Sequence, residues 1–343
     1  MSGVRKRGEA IREYIVQNMT AHRTDITSVT AKKFGITRQA VNHHIRRLVG
    51  QNSISVSGPR SRPIYKLRPE SKYDYNFVLD GTLEEDKLWR DVALQHLRSL
   101  PSEAIGIWEY GFTEMVNNAI DHSDGTQIEI YIERFRPHLD IYISDDGIGI
   151  FKKIKAAMNL DDERHSVLEL AKGKFTTDPD NHTGEGIFFS SRIFDEFAVL
   201  SGDVYYAHDY NDPTEWIAQS LKPGKGTVVF MRLKNNCKRT VTSVFDEYAS
   251  PEDYAFSKTV VPVNLAQYGD DTLVSRSQAK RLLTRIDRFS KVIFDFKKVE
   301  SIGHSFADEV FRVFANHHPE IEISVINDKP NVRKMISRAR SQR

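Results

Sequence analysis

Glu114 and Asn118, in the run GFTEMVNNAIDHS, lie four residues apart, so on a helix they share one face. A carboxylate there can take a proton, and an amide oxygen suits a hard divalent cation. Asn117 and Asp121 stand beside them as supporting polar groups. Asp145, Gly147 and Gly149 follow in DDGIGI, where glycines permit close backbone approach to a ligand. Gly184, Glu185 and Gly186 precede the run IFFSSRIF, and backbone amides at such a helix start form an anion site. Thr227 opens an apolar run after KPGKG.

Elements must place these residues. Helices are expected at 83–99 and 102–122, the second carrying Glu114 and Asn118, and strands at 126–134 and 138–144, the latter running into DDGIGI. Further strands are expected near 197–207, 214–220 and 227–233. Residues 69–82 lack helical periodicity and read as a linker, which the domain division extends to 69–84. Two other phosphate-binding patterns fail. Residue 219 is Gln where a Walker loop ending at GKGT would need glycine, and DDGIGI lacks the GxGxxG order of a dinucleotide fold.

The order of motifs resembles the ATPases of the gyrase, heat-shock chaperone, histidine kinase and MutL group (GHKL), over about 150 residues. The resemblance implies a Bergerat α/β sandwich at 85–235 that binds ATP and magnesium. It implies Glu114 as the catalytic carboxylate that deprotonates water or a hydroxyl, and Asn118 as the magnesium ligand. Asp145 accepts from the adenine amino group, with Gly147 and Gly149 against the ring and Thr227 supporting the aspartate. Gly184 and Gly186 hold the phosphates, with Asp121 as a further nucleotide-site residue. Residues 151–183 are expected to form a nucleotide lid, a loop that orders on binding. Glu185 would place an acid toward phosphate, for which this pattern offers no account. Histidine kinases generally carry Asn at the position of Glu114, and no helix pair with a phosphoacceptor His precedes this domain, which argues against that branch.

The net charge of +2 conceals an asymmetry: residues 1–68 carry fourteen Lys/Arg against Glu9, Glu13 and Asp25, or +11, leaving −9 elsewhere. Such a basic module points to a polyanion. Ile11, Tyr14, Ile15 and Met19 predict a helix over 6–19, and a second covers 27–34. Gly35 makes a turn, and Thr37 caps a third helix. TSVTAKKFGITRQAVNHHIRRL resembles a helix-turn-helix, with Arg38, Gln39, Asn42, His43 and Arg46 on the outer side and Ala40, Val41, His44, Ile45 and Leu48 inside. Arg, Gln and Asn suit base edges in the major groove of double-stranded DNA. Short strands at 53–56 and 64–67 would form a wing whose Arg60 and Arg62 contact phosphates or the minor groove.

From about residue 255, strands at 259–265, 291–296 and 321–326 alternate with helices at 275–289, 305–317 and 330–341, a small α/β domain over 255–343. VIFDFKKVESIGHSFADEVFRVF resembles the STAS domains of anti-sigma-factor antagonists, and the match places Ser305 where those carry a phosphorylatable serine. Gly303-His304 replaces their usual Asp-Ser, and Ser305 with Asp308 also reads as a helix-start box.

The whole is expected to be a multidomain α/β protein: winged helix, GHKL sandwich and STAS-like domain. Cys237, the single cysteine, excludes an internal disulfide and a cysteine-cluster metal site. Without a spanning apolar run or a secretory signal, a cytoplasmic location is expected. Three functions follow. One is an ATP-switched DNA-binding transcriptional regulator, which could dimerise and sense a protein partner through its STAS-like domain. The others are a serine kinase of the anti-sigma type acting on Ser305 or a partner, and a binding module without turnover.

Overall fold

The computed structural model describes residues 2–175, 184–212, 215–220, 224–250, 255–267 and 272–341. The N-terminal unit has three helices, α1 (Ser2–Asn18), α2 (Ile26–Phe34) and α3 (Arg38–Gly50), and an antiparallel pair, β1 (Ile54–Ser57) and β2 (Ile64–Leu67). Gly35 ends α2 in the left-handed conformation, and the Thr37 side chain accepts the Ala40 N–H at the start of α3. Ile15, Val16, Met19, Ile26, Val41 and Leu48 fill a small core of its own.

A seven-stranded antiparallel sheet follows, in the order β3 (Ser71–Val78), β4 (Gln127–Arg134), β5 (His138–Asp145), β9 (Thr227–Lys234), β6 (Glu196–Ser201), β7 (Val204–Asp209) and β8 (Trp216–Gln219). Helices α4 (Glu85–Leu88) and α5 (Leu94–Leu97) flank a π-helical stretch, Trp89–Ala93, and lead to α6 (Ser102–His122). Next come α7 (Ile150–Met158), α8 (Glu163–Lys172), α9 (Gly186–Ile193) and α10 (Val241–Tyr248). Period-two burial gives the sheet one apolar face, with Ile128, Ile130, Ile132, Ile141, Val199 and Met231 in the core beside Trp108 and Phe112 of α6. Full burial of one such large side chain contributes roughly 1.5–3 kcal/mol. On the opposite face Arg232 bridges Asp140 and Glu196.

The C-terminal unit is a parallel sheet, β10 (Lys258–Pro262), β11 (Lys291–Asp295) and β12 (Glu322–Ile326), with α11 (Arg276–Leu283), α12 (His304–Asp308), α13 (Ala315–His317) and α14 (Pro330–Arg340). A π-helical stretch, Glu309–Phe314, joins α12 to α13. Its core is continuous with that of the large sheet.

Three expectations are corrected, and one element was not foreseen. The linker at 69–84 contains β3, whose Tyr73, Tyr75 and Phe77 alternate with polar residues and pack inward; helical periodicity alone could not reveal it. Tyr73 stacks on His96 at 3.7 Å, which ties this edge strand to the helical layer. The lid at 151–183 is largely helical: Phe151 and Ile154 of α7 and Val167 and Leu168 of α8 are buried, and only 176–183 lie outside the described residues. The strand near 197–207 is a hairpin that turns at Gly202. Finally, α10 was unforeseen; it packs through Phe245 stacked on Phe189 at 3.8 Å.

Candidate functional site

One cavity of about 290 Å³ opens between α6, the end of β5, α7 and the start of α9. Glu114, Asn118 and His122 line it from successive turns of α6, because residues four apart share a face. The other side of that helix holds Trp108 and Phe112 in the core, which fixes its rotation. Asp145, Thr227, Gly184 and Gly186 also line the cavity. Ile143, Ile150, Ile154, Ile187, Val199 and Val229 supply apolar walls of the kind that enclose a planar ring.

Asp145 ends β5 directly opposite Thr227 of β9. Its Oδ1 accepts the N–H groups of Gly147, at 2.9 Å, and Thr227, at 3.3 Å. The Thr227 hydroxyl in turn accepts the Ile150 N–H at 3.0 Å. Burial pushes the Asp145 carboxyl above its ordinary range, against the downward pull of these donors. Its neighbour has a different job. Asp146 accepts from the Thr126 N–H and hydroxyl and from the Gln127 N–H, which hold its carboxyl well below the usual range and pin the start of β4.

Gly147, Gly149, Gly184 and Gly186 each stand where a Cβ would force a neighbour to shift. Gly149 has φ +90°, and a Cβ there would lie 2.5 Å from Ser201 Oγ. A Cβ on Gly186 would lie 2.0 Å from Glu114 Oε2, so the start of α9 reaches the carboxylate only because the side chain is missing. Gly147 is buried against the Ser123 carbonyl; neither it nor Gly149 is a lining residue of the cavity, and both act by shaping the turn after Asp145. Asp121 is exposed and Asn117 half-buried, and neither lines the cavity.

Glu185 is half-buried, and burial raises its carboxyl pKa while Lys174 lowers it. Burial raises the Tyr110 phenol, and the charges of Glu114 and Glu185 raise it further. Sequence reasoning missed Lys153, which lines the cavity while donating to the His122 carbonyl at 2.8 Å and to Asp124 at 2.9 Å, and also Phe175. Neither belongs to a motif, so no spacing signalled them.

Among the described residues no group of three or more His, Cys, Asp or Glu could hold a metal ion. Magnesium bound to phosphates keeps waters and takes one or two protein ligands, so a single amide such as Asn118 fits that role.

Elsewhere, Arg38, Gln39, Asn42, His43 and Arg46 are all exposed along one side of α3, and Val41, Ile45 and Leu48 are buried on the other. Arg60 and Arg62 are exposed at the tip between β1 and β2. Ser305 is exposed in the first turn of α12, whose N-cap is Gly303 with no side-chain bond. The helix-start box therefore does not form; Asp308 instead accepts both Nε and Nη2 of Arg312, at 2.5 and 2.7 Å.

An antiparallel sheet with one helical layer makes an α/β sandwich, and a helical Glu/Asn pair, a strand-end aspartate and a glycine turn meet at its cavity. The family model for histidine kinase-, DNA gyrase B- and HSP90-like ATPases matches residues 109–236, and that for a STAS-like domain of unknown function matches 278–333. The chain thus carries a GHKL-type ATPase domain and a STAS-like domain. No curated protein matches the chain. No helix among the described residues is long and apolar enough to cross a membrane.

Proposed function

We propose that the chain is an ATP-binding regulator in which the central domain takes Mg-ATP and the N-terminal unit holds double-stranded DNA. The observation that carries the nucleotide assignment is one cavity lined by Glu114, Asn118, Asp145, Gly184, Gly186 and Thr227. Asp145 accepts from the adenine amino group, and Asn118 contributes to magnesium. The start of α9 offers backbone amides to phosphate. Glu114 takes the proton of the attacking water, and it lies at the mouth of that helix. Magnesium, when bound, offsets phosphate charge during transfer.

The DNA assignment rests on the exposed row Arg38, Gln39, Asn42, His43 and Arg46, on Arg60 and Arg62 at the hairpin tip, and on the charge of +11 over residues 1–68. Transcriptional regulation in the cytoplasm, by a dimer whose STAS-like domain meets a protein partner, is the setting we assign to it. Domains are drawn at 1–68, 71–250 and 255–343, the middle one beginning at β3. The test is DNA retention by the full chain without nucleotide, with Mg-ATP and with a non-hydrolysable analogue, together with phosphate release. A change in DNA affinity with the analogue supports the coupling; indifference to nucleotide sinks it.

A second reading is favoured by one observation: the Ser305 hydroxyl is exposed and carries no capping duty. In that reading Glu114 takes the proton of the Ser305 hydroxyl of another chain, or of a partner's serine, that oxygen takes the γ-phosphoryl group of ATP, and phosphoserine forms as ADP leaves. Labelled phosphate on Ser305 after incubation with ATP supports it, whereas release of inorganic phosphate with no labelled protein contradicts it.

A further inference from the structure

The candidate nucleotide cavity is lined by the ATPase domain, and the C-terminal domain buttresses one stretch of its wall. Phe175, one of its lining residues, lies three residues past the end of α8, and the C-terminal domain holds the carbonyls of the three residues before it, Lys172, Gly173 and Lys174. Lys172 O accepts the Thr259 hydroxyl at 2.7 Å. Gly173 O accepts Nη2 of Arg285 at 3.3 Å. Lys174 O accepts the same Nη2, and Nη1 of Arg288 at 3.1 Å. Lys174 returns a bond from its Nζ to the Arg288 carbonyl at 3.0 Å.

Beneath this lies a buried charge cluster. Lys172 Nζ, 1% exposed, donates to Glu169 Oε1 at 2.7 Å and to the carbonyls of Arg281 and Thr284 at 3.1 and 2.9 Å. Nη1 of Arg285 donates to the other Glu169 oxygen at 3.0 Å, and its guanidinium lies over the Phe175 ring, 5.0 Å from the centroid. Arg285 and Lys174 both have left-handed backbones, at φ +60° and +52°, which non-glycine residues hold only where surrounding contacts impose them.

The path continues to the reacting end. The Phe175 N–H donates to Gly184 O at 3.0 Å, and Gly186, two residues on, abuts Glu114. We propose that Arg285 of the STAS-like domain is a positioning residue for the nucleotide: by fixing Gly173–Phe175 it sets the cavity wall and, through Gly184, the start of α9. This rests on the reading of the cavity as the ATP site. A planar five-donor fork can bind Glu169, two carbonyls and a ring face at once, which a lysine ammonium cannot.

The test is equilibrium titration of Mg-ATP into the full chain as wild type, Arg285→Ala, Arg285→Lys and, as a distant surface control, Arg338→Ala. In Arg285→Ala, Glu169 keeps Lys172 as partner, so the buried acid is not orphaned and the fold is retained. ATP affinity falls roughly tenfold in Arg285→Ala, within the usual range of coupling between sites. It falls less in Arg285→Lys and not at all in Arg338→Ala. By reciprocity, ATP slows hydrogen exchange over Thr284–Arg288 of the wild-type chain. Wild-type ATP affinity in a folded Arg285→Ala, with exchange at 284–288 indifferent to ATP, overturns the proposal. Should Arg285→Ala not fold, Arg285→Lys and the wild-type exchange decide it by the same criteria. Failure of the wild-type chain itself to bind ATP overturns the cavity assignment, and this inference with it.

Discussion

Asp145 and Glu114 share a cavity and take different parts in the proposed function. In the proposed function Asp145 accepts from the adenine amino group as a carboxylate in a half-buried place, and burial resists its ionisation. The folded chain therefore takes up a proton there at a pH above the ordinary aspartate range, where the unfolded chain does not. Stability from this group falls as pH rises through that window and is recovered on acidification, while the charged acceptor is lost. Asp145→Asn, which keeps the oxygen that accepts from Gly147 and Thr227, is expected to raise the apo melting temperature at neutral pH. It also weakens ATP binding roughly tenfold or more, the loss of one charge-assisted hydrogen bond. Differential scanning fluorimetry beside an ATP titration reads both. Glu114→Ala, by contrast, leaves ATP binding near wild type and lowers phosphate release or transfer by about 10² to 10⁴, the scale of general-base catalysis. Unchanged turnover in that variant would show Glu114 to be a bystander.

At the scale of elements, the glycine turn before α9 is as specific as the carboxylate it faces. In Gly186→Ala the new methyl meets the far end of the Glu114 side chain, which can rotate away, so the fold survives and turnover falls. In Gly184→Ala a Cβ at φ +72° meets the Phe175 backbone at 2.3 Å, which cannot yield, and the melting temperature drops. Comparing the two melting curves separates catalysis from architecture. On α3 and the hairpin, Arg60→Ala with Arg62→Ala is expected to reduce the salt slope of DNA binding by roughly two, and Asn42→Ala to relax base preference at one position.

The same scale shows what the sequence made legible. Spacing puts Glu114 and Asn118 on one helix face, resemblance to the GHKL motifs singles out Asp145 and Thr227, and all four line one cavity. The Thr37 cap and the inner row of α3 were found by the same logic. Strand β3 was missed because Tyr73, Tyr75 and Phe77 announce themselves only at period two, and the segment was tested for helical period. Helix α8 was missed because eight buried residues, His165 through Lys172, include four polar ones that read as solvated charge. Lys172 and Glu169 are hidden by partners more than a hundred residues away, in Arg281, Thr284 and Arg285, and no local pattern could show that.

In the whole molecule, the ATPase and STAS-like domains share one continuous core, whereas the N-terminal unit keeps its own. An ion pair, Glu13 to Arg136 at 3.0 Å, and a backbone bond from Glu70 to Arg134 tie that unit and its exit strand to the end of the β4–β5 hairpin. A nucleotide can alter DNA affinity only if it favours one arrangement of these units over another. The proposed function stands first on the cavity itself, and the most direct measurement is calorimetric titration of Mg-ATP into the wild-type chain and Asp145→Asn. It predicts one saturable ATP site per chain, weakened roughly tenfold or more in Asp145→Asn. Absence of binding by the wild-type chain, or equal affinity in the two proteins, would contradict it.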